Sequence, residues 1–310
     1  VVAEEAAKCR MGAYVPACGA FGADPPNAIW LGTPDQIQRY GVPGIEGGKK
    51  IYFAISEASG GADPARSIRS RAVRKGDKYI LNGSKMWITG AQGADWGIVF
   101  ARTGEQGDRG GITAFIVNGN PEGMSLKPIP VIRSYSPYEI TFKDVEILVE
   151  DRLGEEGQGF AICEKWLIEG RIPYAAGTIG VAQAALQIAI NWAKERETFR
   201  TKLADKQAIQ CMSADSEMEL RAARRLTWQA AWIADLGRGD LKVASSIAKV
   251  TATETANRVV DRAIQILGGL GVSRELPLER WFREMRIKRI GEGPSEVHRM
   301  VLARQLLGTR

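Results

Sequence analysis

The chain has 310 residues, of which 45% are hydrophobic and 25% are charged, as in ordinary globular proteins large enough for two or three domains. No apolar run reaches the length of a membrane span and no charged-then-apolar leader opens the sequence, so we expect a soluble, intracellular protein. One histidine and four scattered cysteines exclude a histidine-rich metal site and predict reduced, mostly buried thiols without a bound metal.

Three patterns follow one another along the chain. Residues 1–48 combine a short helical opening with a Gly/Pro-rich passage, which we interpret as a partial N-terminal helical domain. Residues 49–153 alternate short apolar runs with turn residues, which predicts a middle β-domain with a barrel-like or sandwich architecture. Residues 154–310 repeat apolar residues at three- and four-residue steps, which predicts a C-terminal antiparallel four-helix bundle. The expected fold class is α+β, mainly α.

The individual elements follow from the same patterns. The strand-like runs are 50–56, 79–90, 96–103, 111–119, 124–132 and 138–147. The helical segments are 177–199, 207–236, 241–269, 277–288 and 294–307.

The net charge of +6 raises the question of a nucleic-acid partner. The densest basic segment, residues 280–290, has apolar residues between its bases and is typical of an amphipathic helix. No RNP-like, zinc-finger or helix-turn-helix signature accompanies it, so we expect no nucleic acid. A basic surface suits an anionic small molecule equally well.

Two glycine-rich stretches resemble phosphate-binding loops only superficially. The first, "EASGGAD" at 57–63, follows a strand-like run but lacks the Lys-Ser/Thr of a P-loop. The second, "GGLGVS" at 268–273, ends a helix instead of following a strand. A plain turn and a helix stop are the favoured interpretations.

The segment "KMWITG", residues 85–90, has an aromatic side chain and a hydroxyl two positions apart. In a regular strand Trp87 and Thr89 would point to the same face. Such a pair suits a planar heteroaromatic cofactor, but on these residues alone an ordinary core tryptophan with a half-buried threonine is favoured.

The segment "RIGEGPSEVHR", residues 289–299, places Glu292 between Gly291 and Gly293, just before Pro294. One interpretation is a helix start, with Pro294 at the first helical position. The other is a catalytic carboxylate, because flanking glycines let a substrate approach the backbone closely.

The motifs "YFAISEASGGADP", "NGSKMWITGA", "LGEEGQGF", "ERETF", "AIQILGGLGV" and "GEGPSEVHRMVLAR" occur in this order from about residue 49 to the C-terminus. In their order and spacing they resemble the acyl-CoA dehydrogenase family. This resemblance implies an enzyme that removes the α-proton and the β-hydride of an acyl-CoA thioester, giving the trans-2-enoyl-CoA. It also implies FAD as hydride acceptor, an electron-transfer flavoprotein as partner, and a homodimer or homotetramer that shares FAD across its interface.

The resemblance also assigns roles to residues at matching positions. Glu292 corresponds to the base that removes the α-proton, its backbone N–H is one donor to the thioester oxygen, and Gly291 and Gly293 leave room for the substrate. Arg171 corresponds to an arginine that helps to bind the CoA portion. The residues expected to contact FAD are Phe53, Ile55, Ser56, Trp87, Thr89, Arg196, Phe199, Gln265 and Gly269.

Departures from the family pattern leave alternatives open. Gly291 replaces a common tyrosine and indicates a roomier pocket, Pro294 replaces a threonine that contacts flavin, and Ala62 replaces a serine in the glycine-rich turn. Family members also carry more helices before the β-domain than this chain shows. These departures motivate the alternative of a catalytically silent flavin-binding subunit. The other alternative is a flavin oxidase or monooxygenase on the same scaffold, although the retained Glu292 favours dehydrogenation.

Other ionisable groups have predicted roles of their own. Glu169 is the reserve candidate for the base, since some family members place the base on that helix, although a salt-bridging role is favoured. Glu296 is expected at a helix start, and His298 is expected to be structural. For Glu292 the helix N-terminus should lower the pKa and desolvation should raise it, and we expect desolvation to dominate once substrate is bound.

Overall fold

The structure is a computed structural model that describes residues 1–10, 12, 27–105, 109–133, 135–237 and 239–309. The chain divides into two compact units, one of residues 21–167 and the other of residues 1–20 and 168–310. A mixed β-sheet dominates the first unit and long helices dominate the second, which confirms the α+β class and its mainly helical character. The three-part division at residues 48 and 153 stays a prediction.

The unit of residues 21–167 is built on one mixed sheet of eight strands in the order β6-β7-β3-β2-β4-β5-β8, with β1 paired to β4. The β1–β4 pair and the contact between β2 and β4 are parallel, and the other pairs are antiparallel. The strands are β1 (Ile51–Ala54), β2 (Arg71–Lys75), β3 (Lys78–Ile88), β4 (Trp96–Arg102), β5 (Ile112–Asn118), β6 (Met124–Pro128), β7 (Tyr138–Leu148) and β8 (Arg152–Leu153).

The core of this unit lies on both faces of the central strands. Every residue of β4 is buried, and all of β5 except Asn118 is buried, as expected for strands covered on two sides. Strand β2 was not expected from the sequence, because its charged residues hide the alternation that marks a strand.

Short helices precede and connect these strands. They are α2 (Pro34–Gln36), α3 (Val42–Glu46) and α4 (Pro64–Ser67), with 3₁₀ turns at Asn27–Leu31, Arg109–Gly111 and Val149–Asp151 and a π-turn at Ile37–Gly41. Thr33 and Gln36 form a capping box at the start of α2. The predicted Gly/Pro-rich passage is thus largely helical after residue 26, and its part between residues 13 and 26 lies outside the described residues.

The second unit contains α1 (Val2–Ala6), most of α5 (Gly159–Glu195), a hairpin of β9 (Glu197–Thr198) and β10 (Thr201–Lys202), α6 (Gln207–Leu236), α7 (Leu241–Leu267), α8 (Gly269–Val272), α9 (Leu278–Lys288) and α10 (Ser295–Leu307). Helix α7 is central, since it contacts α6, α9 and α10. Its buried face is rich in alanine, which allows close helix approach.

Helix ends in this unit follow local sequence signals. Asp240 caps the start of α7 through the backbone N–H of Val243 at 3.0 Å. Gly237 ends α6 in the left-handed conformation. Helix α6 matches its predicted range, whereas α5 begins well before residue 177, because Pro173 within the helix interrupts the pattern expected from the sequence.

The cysteine prediction is partly wrong. Cys163 is buried, but Cys9 and Cys211 are free thiols with exposed side chains, and Cys18 lies outside the described residues. Cys211 is exposed because it lies on the solvent face of α6. In the described part of the chain, we find no helix whose length and apolar character would carry it across a membrane.

Candidate active site

The connection between α9 and α10 holds Glu292 in an unusual backbone conformation. Its φ is +54°, and that of Gly293 is +98°. Glutamate rarely adopts this left-handed region, and such backbone strain is found preferentially at functional sites. Pro294 is the N-cap of α10, with ψ 150°, and Ser295 is the first helical residue. The expectation that Pro294 occupies the first helical position is therefore wrong, and a helix start does not account for the geometry of Glu292.

The carboxylate of Glu292 lies in a desolvated environment. Its Oε2 atom is buried, with no hydrogen-bond partner among the described residues. Burial raises the pKa of Glu292, although the positive charges of Lys288, Arg171 and Lys249 oppose this shift. Desolvation thus dominates without substrate, and the carboxylate has the raised proton affinity that a general base needs.

Three side chains hold the backbone carbonyls around this carboxylate. Arg171 on α5 donates from Nε to the Glu292 carbonyl at 3.4 Å. His298 on α10 places Nε2 3.2 Å from the same oxygen. Lys249 on α7 donates from Nζ to the Gly293 carbonyl at 2.7 Å. In the part of the chain that the structure describes, the Glu292 N–H makes no hydrogen bond.

His298 has a supporting role in this arrangement. Burial, together with Arg171 and Lys249, lowers its pKa to about 3, so the ring is neutral at physiological pH. Because a carbonyl oxygen can only accept, Nε2 carries the proton in the contact with Glu292. Its Nδ1 lies 3.1 Å from Ser246 Oγ on α7. The geometry agrees with the structural role expected for this residue.

The space beside Gly291 is occupied by another side chain. A Cβ atom built on Gly291 would lie 2.6 Å from the hydroxyl oxygen of Tyr174. Lys288 lies over the Tyr174 ring, with its Nζ 3.9 Å from the ring centroid. The glycine therefore does not simply enlarge the pocket, because Tyr174 from α5 fills the position next to it.

The reserve base Glu169 lies half-buried on α5, but its neighbour Gly170 is the residue that faces the carboxylate. A Cβ built on Gly170 would lie 3.8 Å from Glu292 Oε2. Successive side chains on a helix point about 100° apart, so Glu169 leaves the helix in a different direction.

The predicted flavin contacts of the sheet unit lie around the ends of β1 and β3. Phe53, Ile55 and Ser56 are half-buried, and the ring of Phe53 stacks on Trp166 with centroids 3.8 Å apart. Trp87 has a φ of +68° and is 54% exposed. The strand ends at Ile88 after a register shift, so the regular alternation assumed for Trp87 and Thr89 does not hold, although both are exposed.

A buried ion pair joins these two strand ends. Lys85 Nζ lies 2.7 Å from Glu57 Oε1 and also donates to the carbonyl of Ile55 at 3.2 Å. Glu57 in turn accepts hydrogen bonds from the backbone N–H groups of Arg69 and Ser70. Burial lowers the pKa of Lys85 to about 8, with Glu57 opposing the shift. The pair fixes the chain around Ile55 and Ser56.

The predicted flavin contacts of the helical unit are all exposed: Arg196, Phe199, Gln265 and Gly269. Phe199 is 95% exposed, with a φ of +51°. A Cβ built on Gly269 meets no atom within 4 Å, so the backbone there is open to a ligand.

These residues fit FAD by their chemistry. Exposed aromatic rings can stack on a planar ring system, Arg196 can pair with phosphate, and Gln265 can hydrogen-bond polar ligand atoms. None of the nine predicted FAD contacts is fully buried in its own unit, so each offers surface to a ligand. In the described ranges, no group of three or more histidine, cysteine or carboxylate side chains could hold a metal.

Sequence reasoning missed two residues of the Glu292 site, Lys249 and Tyr174. The only signal for Lys249 is a lysine inside the apolar pattern of a central helix, "SSIAKVTA". Nothing in the sequence pairs Tyr174 with Gly291, because the two meet only through tertiary packing.

Comparison with known proteins agrees with these observations. The acyl-CoA dehydrogenase middle domain matches residues 52–145, and the acyl-CoA dehydrogenase C-terminal domain matches residues 157–307. The mitochondrial short-chain specific acyl-CoA dehydrogenase of Sus scrofa is 39% identical over 280 residues, which cover 89% of this chain and 68% of that protein. CarC, a subunit of the caffeyl-CoA reductase-Etf complex of Acetobacterium woodii, is 40% identical over 279 residues, covering 89% of this chain and 73% of CarC.

A solved structure extends the similarity to three dimensions. Butyryl-CoA dehydrogenase from Megasphaera elsdenii matches with a TM-score of 0.86 and 38% identity, covering 91% of this chain and 74% of that one. The chain therefore belongs to the acyl-CoA dehydrogenase family and is a flavoprotein oxidoreductase with FAD as its cofactor.

Proposed function

We propose that this protein oxidises an acyl-CoA thioester to the trans-2-enoyl-CoA, with Glu292 as the base that removes the α-proton. The observation that carries the proposal is the half-buried Glu292 side chain, whose Oε2 is buried without a partner among the described residues, on a left-handed backbone between two glycines. Its pKa is raised by burial, which favours proton transfer from a weak carbon acid.

FAD, when bound, supplies the hydride acceptor. The contribution of the chain is to hold the thioester and to move the proton. The unpaired Glu292 N–H can donate to the thioester carbonyl oxygen, on which negative charge develops as the α-proton leaves. Arg171 lies against the Glu292 carbonyl and adds positive charge to the site, which suits an anionic CoA ester. Tyr174 limits the space beside Gly291.

The expected partner is an electron-transfer flavoprotein that reoxidises the enzyme. Support comes from CarC, which is named as a subunit of a reductase-Etf complex. We further propose a homodimer or homotetramer, supported by the exposed aromatic residues Trp228 and Trp232 on α6. A soluble compartment, the bacterial cytoplasm or the mitochondrial matrix, stays a prediction.

The proposal is tested by mixing the FAD-loaded protein anaerobically with acyl-CoAs of short, branched, long and aryl acyl groups. We expect a subset of them to bleach the flavin absorbance and to give the 2-enoyl-CoA. Glu292→Gln should lower the bleaching rate by roughly 10³-fold or more, because the amide cannot accept the proton. Glu296→Gln, which changes an exposed carboxylate in the first turn of α10, is the matched control and should bleach at the normal rate.

Three outcomes would contradict the proposal. Bleaching at the normal rate by Glu292→Gln would remove the assigned base. Flavin that no acyl-CoA bleaches would favour the silent-subunit alternative. Rapid hydrogen peroxide formation after air is admitted, without any need for an electron-transfer flavoprotein, would indicate the oxidase alternative.

A further inference from the structure

We propose that Lys249 is a positioning residue for the base, because it holds the Gly293 carbonyl and thereby keeps Glu292 in its left-handed conformation. The catalytic part of this inference rests on the proposed function, but the structural part does not. Lys249 does not touch the reacting atoms. It acts on the backbone that directs the Glu292 carboxylate and N–H.

The contacts of Lys249 lie on both sides of Glu292. Its Nζ donates to the carbonyl of Gly293 at 2.7 Å and lies 3.4 Å from the carbonyl of Arg289. A cationic donor makes a stronger bond to a carbonyl than a neutral donor does. The two bonds therefore fix the chain three residues before and one residue after the candidate base.

The burial of Lys249 argues that its contacts with the segment around Glu292 are not incidental. Its side chain is fully buried in the middle of α7, whereas lysine is almost never buried unless it is paired. Desolvation of an ammonium group is unfavourable unless hydrogen bonds compensate for it. Among the described residues, its side-chain hydrogen bonds go to backbone carbonyls of the segment around Glu292.

A substitution of Lys249 tests positioning separately from substrate binding better than a substitution of its neighbours does. Arg171 donates to the Glu292 carbonyl, but it is itself a predicted CoA contact. His298 reaches the same carbonyl, and it is neutral at physiological pH. Lys249 is thus the positively charged group of this set that has no predicted ligand contact of its own.

The charge state of Lys249 can be changed by pH. Burial lowers its pKa to about 8, helped by the nearby positive charges and opposed by the carboxylates. The charged and polar groups that face it are Arg171 and Tyr174 on α5, Glu254 on α7, Lys288 on α9, Glu292 before α10, and His298 on α10. Loss of its proton weakens both bonds to the carbonyls, so the geometry of Glu292 should change as pH rises through about 8.

The kinetic test uses the FAD-loaded enzyme and Lys249→Met, which keeps the side-chain length but removes the charge and the donors. We expect the rate of flavin bleaching by the best acyl-CoA to fall roughly 10- to 100-fold, with KM changed less than about 3-fold. The fall in rate that the wild type shows above about pH 8 should be absent in this variant. Lys242→Met, an exposed lysine on the same helix, is the matched control and should behave as the wild type.

A spectroscopic test does not depend on turnover. His298 is the only histidine, so protein grown with ¹³C-labelled histidine gives one ring resonance from the residue that contacts the Glu292 carbonyl. In the wild type this resonance should move between pH 7 and 9, where His298 itself does not titrate. In Lys249→Met it should be displaced and stay constant over that range.

The results separate this inference from the proposed function. A His298 resonance that is constant from pH 6 to 10 in the wild type and unchanged in Lys249→Met would overturn the positioning role, whatever the activity. The expected resonance changes in a protein that no acyl-CoA bleaches would support the positioning role and count against the proposed reaction. If Lys249→Met does not fold, the wild-type titration alone decides.

Discussion

At the scale of single residues, the position of the candidate base Glu292 depends on side chains from three different helices. A carboxylate between two glycines and before a proline is visible in the sequence. Its left-handed φ, its buried oxygen and the three donors around it arise from residues on α5, α7 and α10. These contacts depend on how helices pack, which no local pattern encodes.

Gly291 gives a test of packing at this scale. In Gly291→Ala the new Cβ would lie 2.6 Å from the Tyr174 hydroxyl, so one of the two must move. We expect a loss of about 1–3 kcal/mol in the free energy of unfolding, measured by urea denaturation.

A double-mutant cycle combines Gly291→Ala with Tyr174→Phe, which removes the hydroxyl. The double variant should recover a large part of the loss, giving a coupling energy of about 1 kcal/mol. Purely additive effects would show that Tyr174 does not occupy the space beside Gly291.

At the scale of elements, the long and regular pieces follow from the sequence and the irregular ones do not. Helix α6 has its predicted range, because its apolar period is uninterrupted and Gly237 stops it. Strand β2 escapes prediction because its exposed face is basic, and the early start of α5 escapes it because of Pro173. The irregular end of β3, which exposes Trp87, depends on its pairing with β7.

The ion pair between Lys85 on β3 and Glu57, which follows β1, leads to a prediction about stability. Glu57→Gln leaves the buried ammonium of Lys85 without a counter-charge, so we expect a loss of about 3–5 kcal/mol in the free energy of unfolding. Replacing both residues, as in Glu57→Gln with Lys85→Met, should cost less, because no buried charge then remains. An equal or larger loss in the double variant would show that the charge pairing is not what matters.

The pH dependence of stability provides another check on the same lysine. The pKa of Lys85 falls from 10.5 to about 8 on folding. Between these values the unfolded chain binds more protons, so the contribution of this residue to stability rises as pH rises from about 8 to 10.5, by up to about 3 kcal/mol. Urea unfolding at pH 7.5, 9 and 10.5 should show a smaller rise in Lys85→Met than in the wild type. Identical slopes would mean that the lysine is not perturbed.

At the scale of the whole molecule, an exposed stripe on α6 bears on assembly. Trp228, Trp232 and Leu236 recur every four residues and are each at least 40% exposed. Large apolar groups on one helix face are typical of protein interfaces. We expect the protein to be a homo-oligomer that buries this stripe.

Trp232→Glu should lower the mass measured by analytical ultracentrifugation toward 33.8 kDa, the mass of one chain. Val73→Glu, which places the same charge at another exposed apolar site, should leave the mass of the assembly unchanged. A wild-type protein that sediments as a single chain would contradict the expected assembly.

The two buried lysines also affect the chemical durability of the protein. An amine with a pKa of about 8 is unprotonated in roughly a tenth of molecules at pH 7, and a free amine attacks thioesters. Lys85 and Lys249 are shielded from such acylation because both side chains are fully buried. Acylation of either lysine therefore requires that its side chain first becomes exposed. The extent of acylation at Lys85 and Lys249 would thus report how often the protein has unfolded.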